Sequence, residues 1–525
     1  METPQTSYDE IPYDCSVFSY THPSCLATWA TLLGMAPPPV DRCRLLELGC
    51  GNGANLIPMA HDLPGSRFVG VDLSPRQIAM GQEIVDALRL PNIDLRAFSI
   101  TDIDESFGQF DYIVCHGVYS WVPAAVQDKI LSICKRNLAP NGVAYVSYNT
   151  YPGWHIRGMI REMMGFHVRQ FADPKERVQQ AKALLEFLLQ AVGKAPTLYG
   201  GLLQIEADML KEGGDTYLFH EHLEEENHPV YFYQFAERAA DKGLQYLCEA
   251  RPSLLASNLS PEVAKTLERV SVDLIHGEQY LDFVRNRTFR WTLLCHQDAP
   301  VKRPPSPEKV QAMYVTGLVK ARNERPDLSP DVAEEFATPD DVRLSSKNPL
   351  LKAAFLTLFE VCPRSLPFEE LWRRVRARLA DAPATAAAAD GKGRTQLADI
   401  LLQSCLSNFV ELHVRPPEFV LEPSDRPVAS PLARFQAANG VDRVINRRHH
   451  AVELGDFDRL VLRHLDGTRD RAALLDVLVN LVAQDVFSIE QGAQPVTDLS
   501  QARRLLAEGL EPCLRRLARS AVLVV

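Results

Sequence analysis

The stretch LLELGCGNGANL, residues 45–56, governs how the rest of the chain is read. A short, mostly apolar run stops at Gly49, which reads as a buried strand cut off by a glycine. Gly49, Gly51 and Gly53 then let the backbone bend tightly and approach a ligand with no side chain in the way. From Ala54 onward the residues suit a helix, whose first amides would face the same point. A strand, a bare bend and a helix open a parallel α/β unit.

Further strands follow at the spacing of such units. FVGVD (68–72), IDLRAF (93–98), YIVCH (112–116) and VAYVSY (143–148) are separated by helical segments such as PRQIAMGQEIVDAL (75–88) and AAVQDKILSICKRNL (124–138). The second helix is expected to end in a turn at APNGV, with Pro140 and Gly142 as breakers. This alternation implies a parallel sheet with right-handed crossovers, and ligands on such sheets bind at the carboxyl ends of the strands.

Two nucleotides compete for the bend. A dinucleotide fingerprint, GxGxxG/A, is met by Gly49, Gly51 and Ala54. S-adenosylmethionine (SAM) sites instead carry an acid two residues before the first glycine, and Glu47 supplies it. A carboxylate there meets the positive amino-acid end of SAM, whereas it would repel a pyrophosphate. Asp72 ends the second strand, where an acid can accept both ribose hydroxyls. These features favour SAM; a glycine turn with no ligand is the remaining reading.

On these residues, Leu45 to Tyr148 resembles the class I SAM-dependent methyltransferases. The resemblance implies an α/β, Rossmann-like, seven-stranded sheet, six strands parallel and the last antiparallel. It also implies that Glu47, Gly49, Gly51 and Gly53 hold the methionine part and Asp72 the ribose. Ser99, Ile100 and Asp102 would flank the adenine, with Leu73, His116 and Tyr13 as further donor contacts. The sixth strand is expected within YQFAERAADKGLQYLCEA (233–250) and the seventh in NRTFRWTLLCH (286–296). Amphipathic helices at 156–171 and 175–192 come first, so a helical insertion is expected above the carboxyl ends of the strands.

The segments YDEIPY, THPSCLATWATLLG, HGVYSWVP, SYNTYPGWHIRGM and YLFHEHLEEENHPVYFYQF narrow the resemblance. They are similar to bacterial methyltransferases that carry a methyltransferase regulatory domain, among them protein lysine methyltransferases acting on outer-membrane proteins. The likeness covers residues 1 to about 297 well and the rest loosely. The expected division is 1–151 for an N-terminal arm and SAM-binding core, 152–227 for the insertion or lid, and 228–297 for completion of the sheet. After the proline-rich linker QDAPVKRPPSPEK, winged-helix-like domains are expected at 310–420 and 421–525.

Aromatic residues crowd the ends of the fourth and fifth strands. Tyr119, Trp121, Tyr148, Tyr151 and Trp154 are expected to wall an acceptor entrance, since rings attract cations. His116, Tyr119, Tyr151 and His155 are the candidates to accept or relay the acceptor's proton. The arm with Tyr8, Tyr13, Phe18, Tyr20 and His22 is expected to fold over the cofactor. FHEHLEEENH (219–228) lacks the HExxH spacing and a nearby cysteine, so a polar loop with no metal is expected.

Composition sets limits. A net charge of −11 argues against a general nucleic-acid binder. In the last hundred residues lysine is absent, so those modules are expected to contact protein or self-associate, for instance as a homodimer. No NPPY-type run follows the fourth strand and no Pro-Cys stands at the corresponding site, which disfavours the amino-methylases of adenine and cytosine. Eleven scattered cysteines without a CxxC pair suit a reducing cytosol, and no apolar run is long enough to cross a bilayer. The N-terminus lacks signal-peptide features, so a cytoplasmic protein is expected. The expected activity is SAM-dependent methylation of protein lysine side chains. The alternatives are a small-molecule N- or O-methyltransferase and a SAM-binding scaffold without turnover.

Overall fold

A computed structural model describes residues 16–193, 197–251, 259–317, 319–380, 391–491 and 494–525. The chain forms two compact units. One holds Trp29–Arg303; the other holds Val17–Thr28 together with Pro304–Val525.

The first unit is built on seven strands: β1 Arg44–Leu48, β2 Arg67–Asp72, β3 Ile93–Ala97, β4 Phe110–Cys115, β5 Leu138–Asn149, β6 Leu244–Glu249 and β7 Phe289–His296. Their order in the sheet is β3-β2-β1-β4-β5-β7-β6. β7 runs antiparallel to both β5 and β6, while β1 to β5 are mutually parallel. The chain winds outward from β1 to β3, then restarts at β4 on the other side. The crevice at the carboxyl ends of β1 and β4 is therefore the switch point where such sheets take ligands.

Strands covered on both faces read as near-continuous apolar runs. In β1 all but Arg44 are buried. On one face Leu46, Ile113 and Val146 pack with Ile130 and Leu131 of the helix Ala124–Arg136 and with Phe235 and Ala239 of the helix Phe232–Asp241. The turn expected at APNGV is instead the start of β5, which carries a register shift opposite Phe110 and Tyr112. Pro140 is tolerated near the beginning of the strand, before the regular ladder resumes at Val143.

Between β5 and β6 run the helices Gly153–Val168, Pro174–Val192 and Leu198–Leu218, then a wide turn, Phe219–Leu223. Ile160, Leu185, Leu203 and Phe219 belong to an apolar cluster of their own. A buried ion network fastens β7. The Arg290 guanidinium is fully buried and donates to Asp282 (2.8 and 2.9 Å), Glu249 (2.9 Å) and Glu278 (3.2 Å). It also lies 3.7 Å from the ring centre of Phe232.

In the second unit, Tyr314–Gly317 pairs with Leu366–Pro367 and Val410–His413, beside the helices Pro349–Val361, Phe368–Ala380 and Gly391–Leu406. Lys352, wholly buried, donates to the carbonyls of Asp327, Ser329 and Val332 at 2.7–2.9 Å. The last part holds the helices Pro431–Ala438, Asp456–Leu462, Arg471–Ala483 and Leu499–Arg519 and the hairpin Arg443–Ile445/Ala451–Glu453 around an apolar core.

The N-terminal arm is described only in part. Tyr8 and Tyr13 lie outside the described residues. Phe18, Tyr20 and His22 fall within the second unit. In that unit His22 sits against His449 with ring centres 5.5 Å apart, Ser24 Oγ donates to the Arg415 carbonyl, and Thr28 Oγ1 accepts from Val414 N. Among the described residues every cysteine is a free thiol, and no helix is long and apolar enough to cross a membrane.

Candidate active site

The bend after β1 is shaped by its glycines. Gly49, Gly51 and Gly53 have φ of +73°, +54° and +73°, the left-handed region that glycine adopts without cost. A Cβ on Gly49 would overlap Val118 Cγ2 from the turn after β4. The bend and that turn thus pack backbone against side chain, with no room for another group. Gly49 N and Cys50 N both donate to the Val71 carbonyl, which fixes the bend to the end of β2.

Two carboxylates face this bend. Asp72 Oδ2 accepts from Gly51 N at 2.8 Å and Oδ1 from Ser74 N at 2.9 Å, so the acid bridges the loops after β1 and β2. Glu47 is buried in β1 between Gly70 of β2 and Val114 of β4. Its Oε1 accepts from Asn55 Nδ2 at 2.7 Å, while Oε2 is buried with no hydrogen-bond partner among the described residues. Burial pushes its pKa up to about 8; the Asn55 hydrogen bond opposes this and Asp72 adds to it. A buried acid with one unsatisfied oxygen beside a bare bend fits a ligand's ammonium group.

The remaining donor-side candidates ring the same edge. Leu73 is 44% exposed directly after Asp72. Ser99 caps the short helical turn Ile100–Asp102 by accepting from Thr101 N. Ile100 packs against the core, whereas Asp102 is exposed.

At the ends of β4 and β5 the aromatic residues divide. Tyr119 and Tyr148 do not wall an opening; both are core rings. Tyr148 stacks on Phe235 at 4.1 Å, and Tyr119 meets Phe235 edge-on at 5.2 Å. Trp154 is also buried, at the root of the insertion. Arg157 lies 4.9 Å from its ring centre and Trp121 stands edge-on at 6.1 Å. Arg157 in turn donates to Glu206 and to Tyr217. Burial raises the pKa of Tyr119 and raises that of Tyr148 far more, which disfavours either phenolate as a base.

Tyr151 and His155 are the accessible pair. Their rings stack at 4.1 Å, 16° from parallel, and His155 Nε2 lies 3.1 Å from Tyr231 Oη. Tyr231 continues to Tyr233, which is 38% exposed. Tyr231 reaches this edge because Thr150 and Val230 form an isolated bridge just beyond β5. Of the histidines in FHEHLEEENH, His220 pairs with Glu224 and His222 with Glu206, both at 2.8 Å, and His228 pairs with Glu226.

Asn55, Val118, Ser147 and Tyr231 were not legible as site residues from the sequence. For the inward direction of Tyr148 a signal existed. Along β5, Ala144, Val146 and Tyr148 share one face and Tyr145, Ser147 and Asn149 the other, so only the second set turns polar toward the site.

Three family models match the chain: a methyltransferase domain at residues 46–144, a predicted methyltransferase regulatory domain at 214–296, and the PKMT C-terminal winged helix domain at 425–522. The solved structure of PKMT2 from Rickettsia typhi is 31% identical, with a TM-score of 0.87, covering 98% of this chain and 100% of that one. The chain belongs to the PKMT family of methyltransferases. PKMT2 has also been solved in complex with AdoHcy, and that structure matches with a TM-score of 0.86. An uncharacterized protein of Rickettsia prowazekii, RP789, is 35% identical over 98% of this chain and 93% of its own length. A second one, RP028, is 45% identical over 47% of this chain and 98% of its own. This PKMT-family chain is a SAM-dependent methyltransferase whose sheet carries a helical insertion and whose C-terminal part is a winged helix.

Proposed function

We propose that this chain methylates the ε-amine of lysine side chains in a protein acceptor. The full-length likeness to PKMT2, where PKMT denotes protein lysine methyltransferase, carries this reading of the acceptor. When bound, SAM supplies an electrophilic methyl group on a sulfonium. All other tasks fall to the chain. Glu47 and Gly49, Gly51 and Gly53 receive the methionine end, Asp72 the ribose, and Leu73, Ser99, Ile100 and Asp102 the adenine. A lysine amine must arrive neutral, and with an ordinary pKa near 10.4 that costs roughly 4–5 kcal/mol at pH 7. The ring faces of the Tyr151–His155–Tyr231 cluster attract the incoming ammonium. His155 and Tyr151 are the accessible candidates to take that proton. Holding the amine in line with the methyl group supplies much of the rate. The cytoplasm is the proposed compartment, since the described cysteines are free thiols.

The test uses SAM labelled in its methyl group and an unfolded, lysine-rich protein. Label should enter the protein band and vanish when the acceptor's lysines are first blocked by reductive dimethylation. Label confined to small molecules would overturn the protein-acceptor reading. Asp72→Ala should weaken AdoHcy binding by about ten- to a hundredfold, the cost of hydrogen bonds to a charged group; equal affinity in a binding titration would overturn the ribose role.

A further inference from the structure

We infer that His116 works as a neutral imidazole with its hydrogen on Nε2, and that Ser147 is the positioning residue that fixes this form and ties the turn after β4 to β5. The inference rests on the reading of the β4–β5 edge as the acceptor side, and it removes His116 from the candidate bases.

The hydrogen bonds decide the tautomer. Ser147 is fully buried on β5, and its Oγ accepts from Gly117 N at 2.8 Å. That leaves the hydroxyl hydrogen to be placed. Among the described residues one further group is within its reach, His116 Nδ1 at 3.1 Å. Buried hydroxyls are rarely left without an acceptor, so Ser147 donates to Nδ1. Tyr145, two residues earlier on the same face of β5, brings its hydroxyl to 2.8 Å from the same nitrogen. A nitrogen that receives an O–H cannot carry its own hydrogen. The neutral ring then holds its hydrogen on Nε2. Burial supports the neutral form, holding the His116 pKa down at about 3.

The same serine sets the position of the turn. Gly117, at φ +69°, presents open space where a side chain would be, and Val118 beside it packs on the Gly49 bend. Ser147 therefore links β5 to a turn that touches the cofactor bend on one side and opens toward the acceptor on the other. His116 is then a hydrogen-bond donor at this edge, and the amine's proton leaves by another group.

Histidine-selective ¹⁵N NMR of the full chain tests the tautomer without any turnover. His116 should show Nδ1 as the unprotonated nitrogen, Nε2 as the protonated one, and no titration between pH 5 and 9. An Nδ1–H tautomer, or titration near pH 6.5, would overturn the inference. Ser147→Ala should lower kcat by about ten- to a hundredfold through misplacement of the turn, with AdoHcy affinity changing much less. Ser147→Thr, which keeps the hydroxyl, should restore both the tautomer signal and kcat. If Ser147→Ala fails to fold, Tyr145→Phe and Ser147→Thr remain: both must keep the Nε2–H form, and loss of that form in the threonine variant counts against Ser147. An unchanged kcat in Ser147→Ala would overturn the positioning role. A wild-type chain that methylates no protein at all refutes the proposed acceptor but leaves the NMR result standing.

Discussion

Glu47→Gln should weaken AdoHcy binding by about ten- to a hundredfold and remove its pH dependence. In the unliganded protein Glu47 is buried with a pKa near 8, so at pH 7 it is mostly protonated. A ligand ammonium beside Oε2 favours the carboxylate, and binding then releases a proton. Wild-type affinity should therefore rise by up to about tenfold per unit as pH climbs toward 8, and level off above it. Calorimetry in two buffers of different ionisation enthalpy reads the released proton directly. The sign for stability is opposite. A carboxyl whose folded pKa lies above its unfolded value contributes stability below the unfolded value, near 4.5, and loses it as pH rises through 8. The unliganded glutamine variant should match the wild type in acid and unfold at a higher temperature at pH 9. Wild-type binding that is flat from pH 6 to 8, with no proton released, would show that Glu47 does not meet a cation.

Arg290→Ala should destabilise the first unit by about 3–5 kcal/mol, roughly 10 °C in Tm. Replacing an entire buried ion cluster with apolar groups is often harmless, but this variant removes one partner and leaves the others. Glu249 would keep its hydrogen bonds from Trp291 N and Thr292 Oγ1, and of the ion pairs Arg287 would remain, 3.2 Å from Asp282 and 3.7 Å from Glu249. Phe232 would lose the guanidinium above its ring. Arg290→Lys should recover only part of the loss, because a point charge cannot match the planar fork that reaches three acids. Burial already raises the pKa of Glu278 and Asp282, with Arg290 opposing, and the alanine variant raises both further. By the sign given for Glu47, its deficit should be smaller at pH 5 than at pH 8. Thermal melts at both pH values check this; a deficit equal at both would point to lost packing alone.

The cofactor half of the fold could be read from local pattern, because each device is local. Three glycines in five residues and an acid two positions before them lie in one short stretch, and the acid at the next strand end follows at the spacing of one strand–helix–strand unit. The ring cluster could not be read in the same way. Tyr119, Tyr148 and Trp154 stand next to accessible residues in the chain, but the direction of Tyr148 is set by β-strand alternation, and all three meet partners distant in sequence, Phe235 for the tyrosines and Trp121 for Trp154. The β5 start was misread because Pro140 and Gly142 are turn residues by propensity; pairing with β4 overrides that. Ser147 gave no sign of its role, since a serine in a strand is ordinary until Gly117 and His116 are brought to it.

The spatial neighbour of β5 arrives late in the chain. β5 ends at Asn149, yet the strand that covers its edge begins at Phe289. During synthesis the ribosome must deliver the whole insertion, β6 and β7 before the sheet can close. Until then the nascent chain presents an uncapped row of backbone donors and acceptors, the kind of edge that recruits other strands. A message truncated within that interval should yield a product that aggregates or is degraded, even though every glycine and acid of the nucleotide bend has already been translated.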